Sequence, residues 1–293
     1  MEIKNLKILL LGGGYTLSKL ADKLDPKSFL ITTTTKSKQE NFRSRGFYSE
    51  ILDIYNKKNV NNFFEKHKHF EIIIDSIPPQ FNSRNPNEKD LDNALGGVKN
   101  LVSIFKNYPV RKFFYLSTTG VYGEINGSIV DENTAVNPQS IRAKARVESE
   151  NLYRNLNCEV TCFRLAGIYG EGRDSLDSLR QGVYPLVNDG EAWSNRINVE
   201  DIAEILFLAI KSKNKLPSIF NMSDGTFVKI KEVVQYLCQQ FQLDYPKSIT
   251  IEEATKRGMH TLLGNKRVSN DLVKKFFNYQ FKYSDFKSYY KKK

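Results

Sequence analysis

The chain has 293 residues, 40% hydrophobic and 26% charged, with 44 Lys+Arg against 33 Asp+Glu and a net charge of +11. Apolar runs recur along its whole length, which excludes a disordered chain, and no run of about 18 apolar residues is present to form a membrane helix. The length suits one large domain or two small ones with a sizeable core. In chain order, Lys7–Leu11 reads as a short strand that ends in glycines, and Phe29–Thr35 as a β-branched strand after Pro26. Glu71–Ile77, stopped by Pro78 and Pro79, is another, and Lys112–Ser117 and Glu159–Leu165 follow. Helical patterns fall between them at Tyr15–Leu24, Asn56–Lys66, Asn87–Asn107 and Pro138–Leu156. Apolar strands alternating with helices predict an α/β fold, a Rossmann-type doubly wound parallel sheet. Further on, Val199–Lys211, Lys229–Phe241 and Asp271–Phe277 read as helices and Ile219–Met222 as a strand. The expected division is a Rossmann-type core over residues 1–170 and a small C-terminal α/β subdomain over 171–293, interleaved with it.

The positive charge has several readings. The lysines are scattered apart from the tail Lys291, Lys292, Lys293, and no basic stripe is interleaved with aromatics. That pattern argues against nucleic acid and fits a solvated surface or an attraction for a phosphorylated cofactor. Cys158, Cys162 and Cys238 show no pairing or metal spacing, and no basic-then-apolar leader opens the chain, so a reducing cytoplasm is the expected setting. His67, His69 and His260 form no ligand pattern, so no metal is expected, and no Gly-x-Ser-x-Gly elbow points to a hydrolase.

Four segments carry chemistry. Gly12-Gly13-Gly14-Tyr15-Thr16-Leu17 follows the first strand and opens a helix. Glycines there let the backbone approach a pyrophosphate, and helix-start N–H groups bind the anion; the usual third glycine is Leu17. After the second strand an NAD site wants a carboxylate for the ribose 2′-hydroxyl, but this chain offers Thr34, Lys36 and Ser37, with no acid before Glu40. Hydroxyls and ammonium groups suit a 2′-phosphate, so NADP(H) is the preferred cofactor, with NAD(H) as the other candidate. Asp53-Ile54 is read either as an adenine contact or as the N-cap of the following helix. Ser117–Gly123 places hydroxyls at the end of a parallel strand, where the ligand crevice of such sheets lies. Trp193 either covers a ligand or packs in the core.

Gly12–Leu17, Asp53-Ile54, Ser117–Gly123, Phe163–Arg173, Arg196–Asp201 and Phe220–Gly225 fall in order. Together they resemble the extended short-chain dehydrogenase/reductases, the NAD-dependent epimerase/dehydratase family of nucleotide-sugar enzymes. The resemblance implies that Thr118 contacts a substrate oxygen. It places Arg173 and Arg196 on the substrate side, where guanidinium groups hold phosphate, and Ser76, Ile77 and Pro78 beside adenine and ribose. It also implies a homodimer through a helix pair that includes Pro138–Leu156. The departure lies in the catalytic helix. The family reads Pro-x-Ser-x-Tyr-x-x-x-Lys-x-x-x-Glu; here Pro138, Ser140 and Glu150 keep the register, while Arg142 and Arg146 replace tyrosine and lysine. A guanidinium stays protonated, so Arg142 serves as a clamp on an oxyanion or phosphate rather than as a proton donor. Arg146 can still bind ribose or phosphate, and Lys144 is two residues out of register. Tyr122 is a substitute acid or a loop anchor. Thr119-Gly120 replaces the acidic pair of the dehydratase branch, which argues against dehydration. The pattern looks like the atypical members that lack the Tyr-x-x-x-Lys pair. The expectation is an NADP(H)-binding oxidoreductase or epimerase-like enzyme with a small, phosphorylated or nucleotide-sugar substrate. The other reading is a catalytically inactive NADP(H)-responsive binding or regulatory module.

Overall fold

The computed structural model describes residues 7–83, 85–123, 125–259 and 263–291; His260, Lys292 and Lys293 lie outside them. Seven strands form one sheet: β1 (Ile8–Leu11), β2 (Phe29–Thr33), β3 (Tyr48–Ile51), β4 (Ile72–Asp75), β5 (Lys112–Thr118), β6 (Glu159–Leu165) and β7 (Ile219–Met222). The order across the sheet is β7-β6-β5-β4-β1-β2-β3. The β1–β2, β1–β4, β2–β3 and β4–β5 ladders are parallel. At the other edge, Cys162 N donates to Ser218 O and Ala166 N to Met222 O, the same direction of advance. The order reverses between β1 and β4, and in such sheets ligands bind outside the strand ends at that point.

Alternate residues of each strand face opposite sides of the sheet. Leu9, Leu11, Ile73 and Phe113 face one way and pack in one core with Val60 and Phe64 of α3 (Lys57–Lys66) and Val98 and Leu101 of the helix Gly96–Ile104. Elsewhere in the sheet Phe114 meets Phe163 edge to face, with centroids 5.5 Å apart, and Phe163 stacks on Phe220 at 5.7 Å. Removing a buried phenyl such as Phe64 costs about 3–5 kcal/mol.

Several expected boundaries shift, each for a local reason. The second strand ends at Thr33 because Thr35 already caps α2 (Lys36–Ser44), its side chain accepting from Lys38 N. Helix α1 (Tyr15–Ala21) stops short of Leu24. Its chain tightens into three-residue turns, Lys23 N to Leu20 O and Leu24 N to Ala21 O, ahead of Asp25-Pro26. The expected helix Asn87–Asn107 breaks into a single turn Glu88–Asp90, a short helix Leu91–Ala94 and the helix Gly96–Ile104. The helices part at Leu95, directly before the Gly96-Gly97 pair, and a Cβ on Gly97 would lie 2.7 Å from the Ile54 side chain. The helix expected over Pro138–Leu156 runs Ile141–Arg154, and Ser140 Oγ accepts from Ala143 N at its start.

The chain divides into two compact units. Unit 1 holds Met1–Ser117, Lys144–Arg164 and Ile202–Phe220, hence most of the sheet. Unit 2 holds Thr118–Ala143, Leu165–Asp201 and Asn221–Lys293. Its strands are two or three residues long: Gly167–Tyr169 pairs with Arg196–Asn198, Trp193–Ser194 with Val228–Lys229, and Ile129–Val130 with Arg267–Val268. A core of Leu176, Leu179, Val233, Leu237 and Phe286, with Tyr169, holds it together. Among the described residues no helix is long and apolar enough to cross a membrane.

Candidate functional site

In unit 1 the three glycines at the end of β1 have different surroundings. Gly12 has φ +93°, and a Cβ there would sit 2.9 Å from Ile77 Cγ1 and 3.0 Å from Ser76 Oγ. On Gly13 it would meet the Phe42 ring at 2.6 Å. On Gly14 it would meet nothing within 4 Å. The first two glycines are therefore required by the fold, and the third is not. The turn is fixed: Gly12 N donates to Thr32 Oγ1, Gly13 N to Thr32 O, and Ser76 Oγ to Leu11 O and Gly12 O. Gly14 is the N-cap of α1 and makes no side-chain cap, so the amides of Thr16 and Leu17 belong to the first turn, which has no intrahelical acceptor. An open glycine beside such amides fits a dinucleotide pyrophosphate.

The threonine run after β2 splits in two. Thr32 and Thr33 are buried and Thr32 anchors the glycine turn, while Thr34, Thr35, Lys36 and Ser37 are exposed. Lys36 Nζ lies 3.9 Å from Glu40, an exposed pair of little strength. After β3, the Asp53 side chain accepts from Tyr55 N at 2.9 Å, and Asn56, not Asp53, caps α3. Ile54 is buried and Pro78 exposed. Ile77 N donates to Asp75 Oδ1 at 2.8 Å.

Asp75 is the residue that sequence reading missed. It is fully buried at the end of β4 and accepts Tyr153 Oη–H at 2.7 Å. Burial pushes its carboxyl up to about 6, against the lowering effect of the Tyr153 and Ile77 hydrogen bonds and of Arg146. Burial also raises the Tyr153 hydroxyl, and Asp75 raises it further. Arg146 donates from Nη1 to Tyr115 Oη and Leu116 O, both at 3.0 Å. Among the described residues no carboxylate comes within 4.0 Å of that half-buried guanidinium. The available signal was an Asp inside an otherwise apolar strand, a residue type almost never fully buried without partners.

In unit 2, Thr118 Oγ1 accepts from Gly120 N at 3.1 Å, which leaves its own proton for another acceptor. Tyr122 is fully buried, and its hydroxyl donates to Asn221 Oδ1 at 2.8 Å. That committed proton favours the loop-anchor reading of Tyr122. Arg142 is exposed one helical turn before Arg146. Arg196 donates to Ser194 Oγ and Ser175 Oγ, and Arg173 is exposed where its backbone bridges to Gly170. Trp193 is half-buried with the Arg267 guanidinium 5.1 Å and Lys229 Nζ 5.8 Å from its ring, and its N–H side lies against Gly127. Those contacts favour packing over ligand cover. Unit 1 thus gathers the Gly12, Thr34, Asp53 and Ser76 segments at the ends of adjacent strands. Within unit 2, Tyr122 and Trp193 are spent on structural contacts.

The sequence model of the NAD dependent epimerase/dehydratase family matches residues 8–223. The GDP-L-colitose synthase of Yersinia pseudotuberculosis is 24% identical over 304 aligned residues, covering 92% of each chain. A solved structure of a functionally unknown conserved protein from Silicibacter pomeroyi is 26% identical, with a TM-score of 0.75 over 97% of both chains. A UDP-glucose 4-epimerase from Thermus thermophilus, solved with NAD, has a TM-score of 0.75 over 94% of both chains at 18% identity, a likeness of fold.

Proposed function

The chain belongs to the NAD-dependent epimerase/dehydratase family, and on that footing we propose that it is an NADP(H)-preferring oxidoreductase or epimerase-like enzyme of the atypical kind, acting on a phosphorylated or nucleotide-sugar substrate. The observation that carries the reading is Gly14, a glycine that no protein atom requires, at the open start of α1. When bound, the dinucleotide supplies hydride transfer. The chain supplies the rest. Gly12, Gly14, Tyr15, Thr16 and Leu17 hold the pyrophosphate on backbone amides. Thr34, Lys36 and Ser37 meet the 2′-phosphate, and Asp53, Ile54, Ser76, Ile77 and Pro78 border the adenine and its ribose. Arg146, fixed by Tyr115 and Leu116 O and free of any carboxylate, donates to a ribose hydroxyl or a phosphate. In unit 2, Thr118 donates to a substrate carbonyl or alcohol oxygen, Arg142 clamps negative charge, and Arg173 and Arg196 take substrate phosphate. The Tyr122 proton stays on its bond to Asn221 in this scheme, so water protonates the substrate oxygen.

A second reading has its own support. On the register that the sequence resemblance implies, Arg142 and Arg146 take the places of the family's tyrosine and lysine, and the Tyr122 hydroxyl is bound to Asn221. An NADP(H)-responsive module without turnover fits that reading. Single-turnover oxidation of bound NADPH against a panel of carbonyl and nucleotide-sugar compounds separates the two. The enzyme reading expects a rate above the blank that falls about tenfold or more in Thr118→Ala. NADPH binding with no turnover of any compound supports the module.

A further inference from the structure

Unit 2 contains a cavity of about 360 Å³ lined by none of the residues assigned above to cofactor or substrate. Its size lies at the lower end for small-molecule sites. Its walls are tied to one another. Gly225, at φ +80°, lets the turn pass so close to Asn270 that a Cβ would lie 2.7 Å from the amide. Asn270 Nδ2 donates to Ser223 O, Ser223 Oγ to Val268 O, and Thr226 Oγ1 to Ser284 O. The concavity is therefore built into the fold and not left between loose loops.

Two side chains of opposite charge type line it, and neither is in an ion pair among the described residues. Asp224 is 8% exposed, and among the described residues its carboxylate accepts one hydrogen bond, from Thr226 N at 3.0 Å. Arg196 acts on it through space only, and burial holds the carboxyl up at about 7. Lys274 is exposed, and its ammonium forms no ion pair among the described residues. Asp271 shares the cavity, but its carboxylate is held by Ser269 Oγ at 2.9 Å. Asp224 and Lys274 do not approach each other within 4.0 Å, so a molecule carrying both charges can span them, whereas one carrying a single charge leaves the other unmatched. Beside them stand two exposed apolar side chains, Ile129 at 54% and Phe227 at 39%.

We propose that this cavity binds a small zwitterion with an apolar side group, an α-amino acid. Its ammonium meets Asp224, its carboxylate meets Lys274, and its side group lies against Phe227 and Ile129. The site is separate from the dinucleotide reading and stands if that reading fails. The test is calorimetric titration of the full chain with L-phenylalanine or L-leucine, then with phenethylamine and hydrocinnamate, which each lack one charge. The zwitterion is expected to bind saturably, and each single-charge analogue at least about tenfold more weakly. Lys274→Met and Asp224→Asn are each expected to weaken the zwitterion about tenfold and to leave dinucleotide affinity unchanged. Lys274 is an exposed helix position, so its variant keeps the test readable if Asp224→Asn fails to fold. No saturable binding up to about 10 mM, equal affinity for all three ligand types, or an affinity untouched by Lys274→Met overturns the proposal.

Discussion

Asp75 in unit 1 and Asp224 in unit 2 are both more than nine-tenths buried, and both end an apolar strand or the turn that follows one. Their surroundings differ. Asp75 accepts from Tyr153 Oη and Ile77 N, and its carboxyl rises to about 6. Asp224 accepts from Thr226 N alone, and its carboxyl rises to about 7. Desolvation opposes the charged form in both, and each donor to the carboxylate offsets part of it. The difference teaches how the two regions handle polarity. Unit 1 satisfies its buried acid internally and keeps it next to the strand ends, whereas unit 2 leaves an acid half satisfied at the wall of a cavity.

The widest expected separation is in pH dependence. For Asp224 the folded pKa of about 7 lies above the unfolded value, which is roughly 4. The folded chain therefore holds the proton longer than the unfolded chain. Its contribution is whole below about pH 4 and is lost as the pH climbs through about 7, at most about 4 kcal/mol. Asn keeps an oxygen for Thr226 N and carries no charge, so Asp224→Asn should make the stability profile shallower between pH 4 and 7 in urea melts at stepped pH, with the part due to Asp75 remaining. A profile that keeps its full slope would mean that Asp224 is better partnered than its hydrogen bonds indicate. The next effect contrasts neighbouring glycines. Gly14→Val should cost only about 1 kcal/mol of stability, from a poorer helix N-cap, and should weaken dinucleotide binding about a hundredfold, about 2.7 kcal/mol. Gly13→Val should lower the melting temperature, because the added carbons meet Phe42 and Thr33. Equal thermal losses in both would remove the argument that Gly14 is kept for a ligand.

Legibility divided along the same line. The long elements were readable because apolar strands alternate with helices: Glu159–Leu165, Val199–Lys211 and Ile219–Met222 fall where their patterns place them, although the helix Lys36–Ser44 went unread. The family was legible too, since six loose motifs keep their order, and the family match over residues 8–223 bears it out. Unit 2 was harder because ladders of two or three residues have too few alternations to show a period. The helices Ser175–Arg180 and Ile251–Lys256, each six residues long, went unread for the same reason. Partner choice was hidden as well. Nothing in the order of residues says that Tyr122 spends its hydroxyl on Asn221, or that Tyr153 reaches Asp75 across 78 positions.

A smaller effect tests the internal partnering of Asp75. Tyr153→Phe removes one of its donors, and about 1–3 kcal/mol of stability should go with it. The loss should be greater at pH 8 than at pH 5, because the ionised carboxylate depends more on the donor than the neutral acid does. Urea melts at the two pH values measure this, and an equal loss would mean that Asp75 stays protonated throughout.

The smallest effect falls on the exposed end of β2. Lys36 is 81% exposed and loosely paired with Glu40, so its ammonium is available to an arriving anion. Lys36→Glu places like charges at i and i+4, a penalty of about 0.2–0.5 kcal/mol to the helix, too little to disturb the fold. A phosphate at that point would lose an ion pair and gain a repulsion, so NADPH affinity should fall about tenfold, about 1.4 kcal/mol. NADH carries no phosphate there and should bind as before. Calorimetry with both dinucleotides reads the ratio. Equal losses would place the lysine at a feature common to the two cofactors, and no loss in either would leave Thr34 and Ser37 as the groups to examine for the 2′-phosphate.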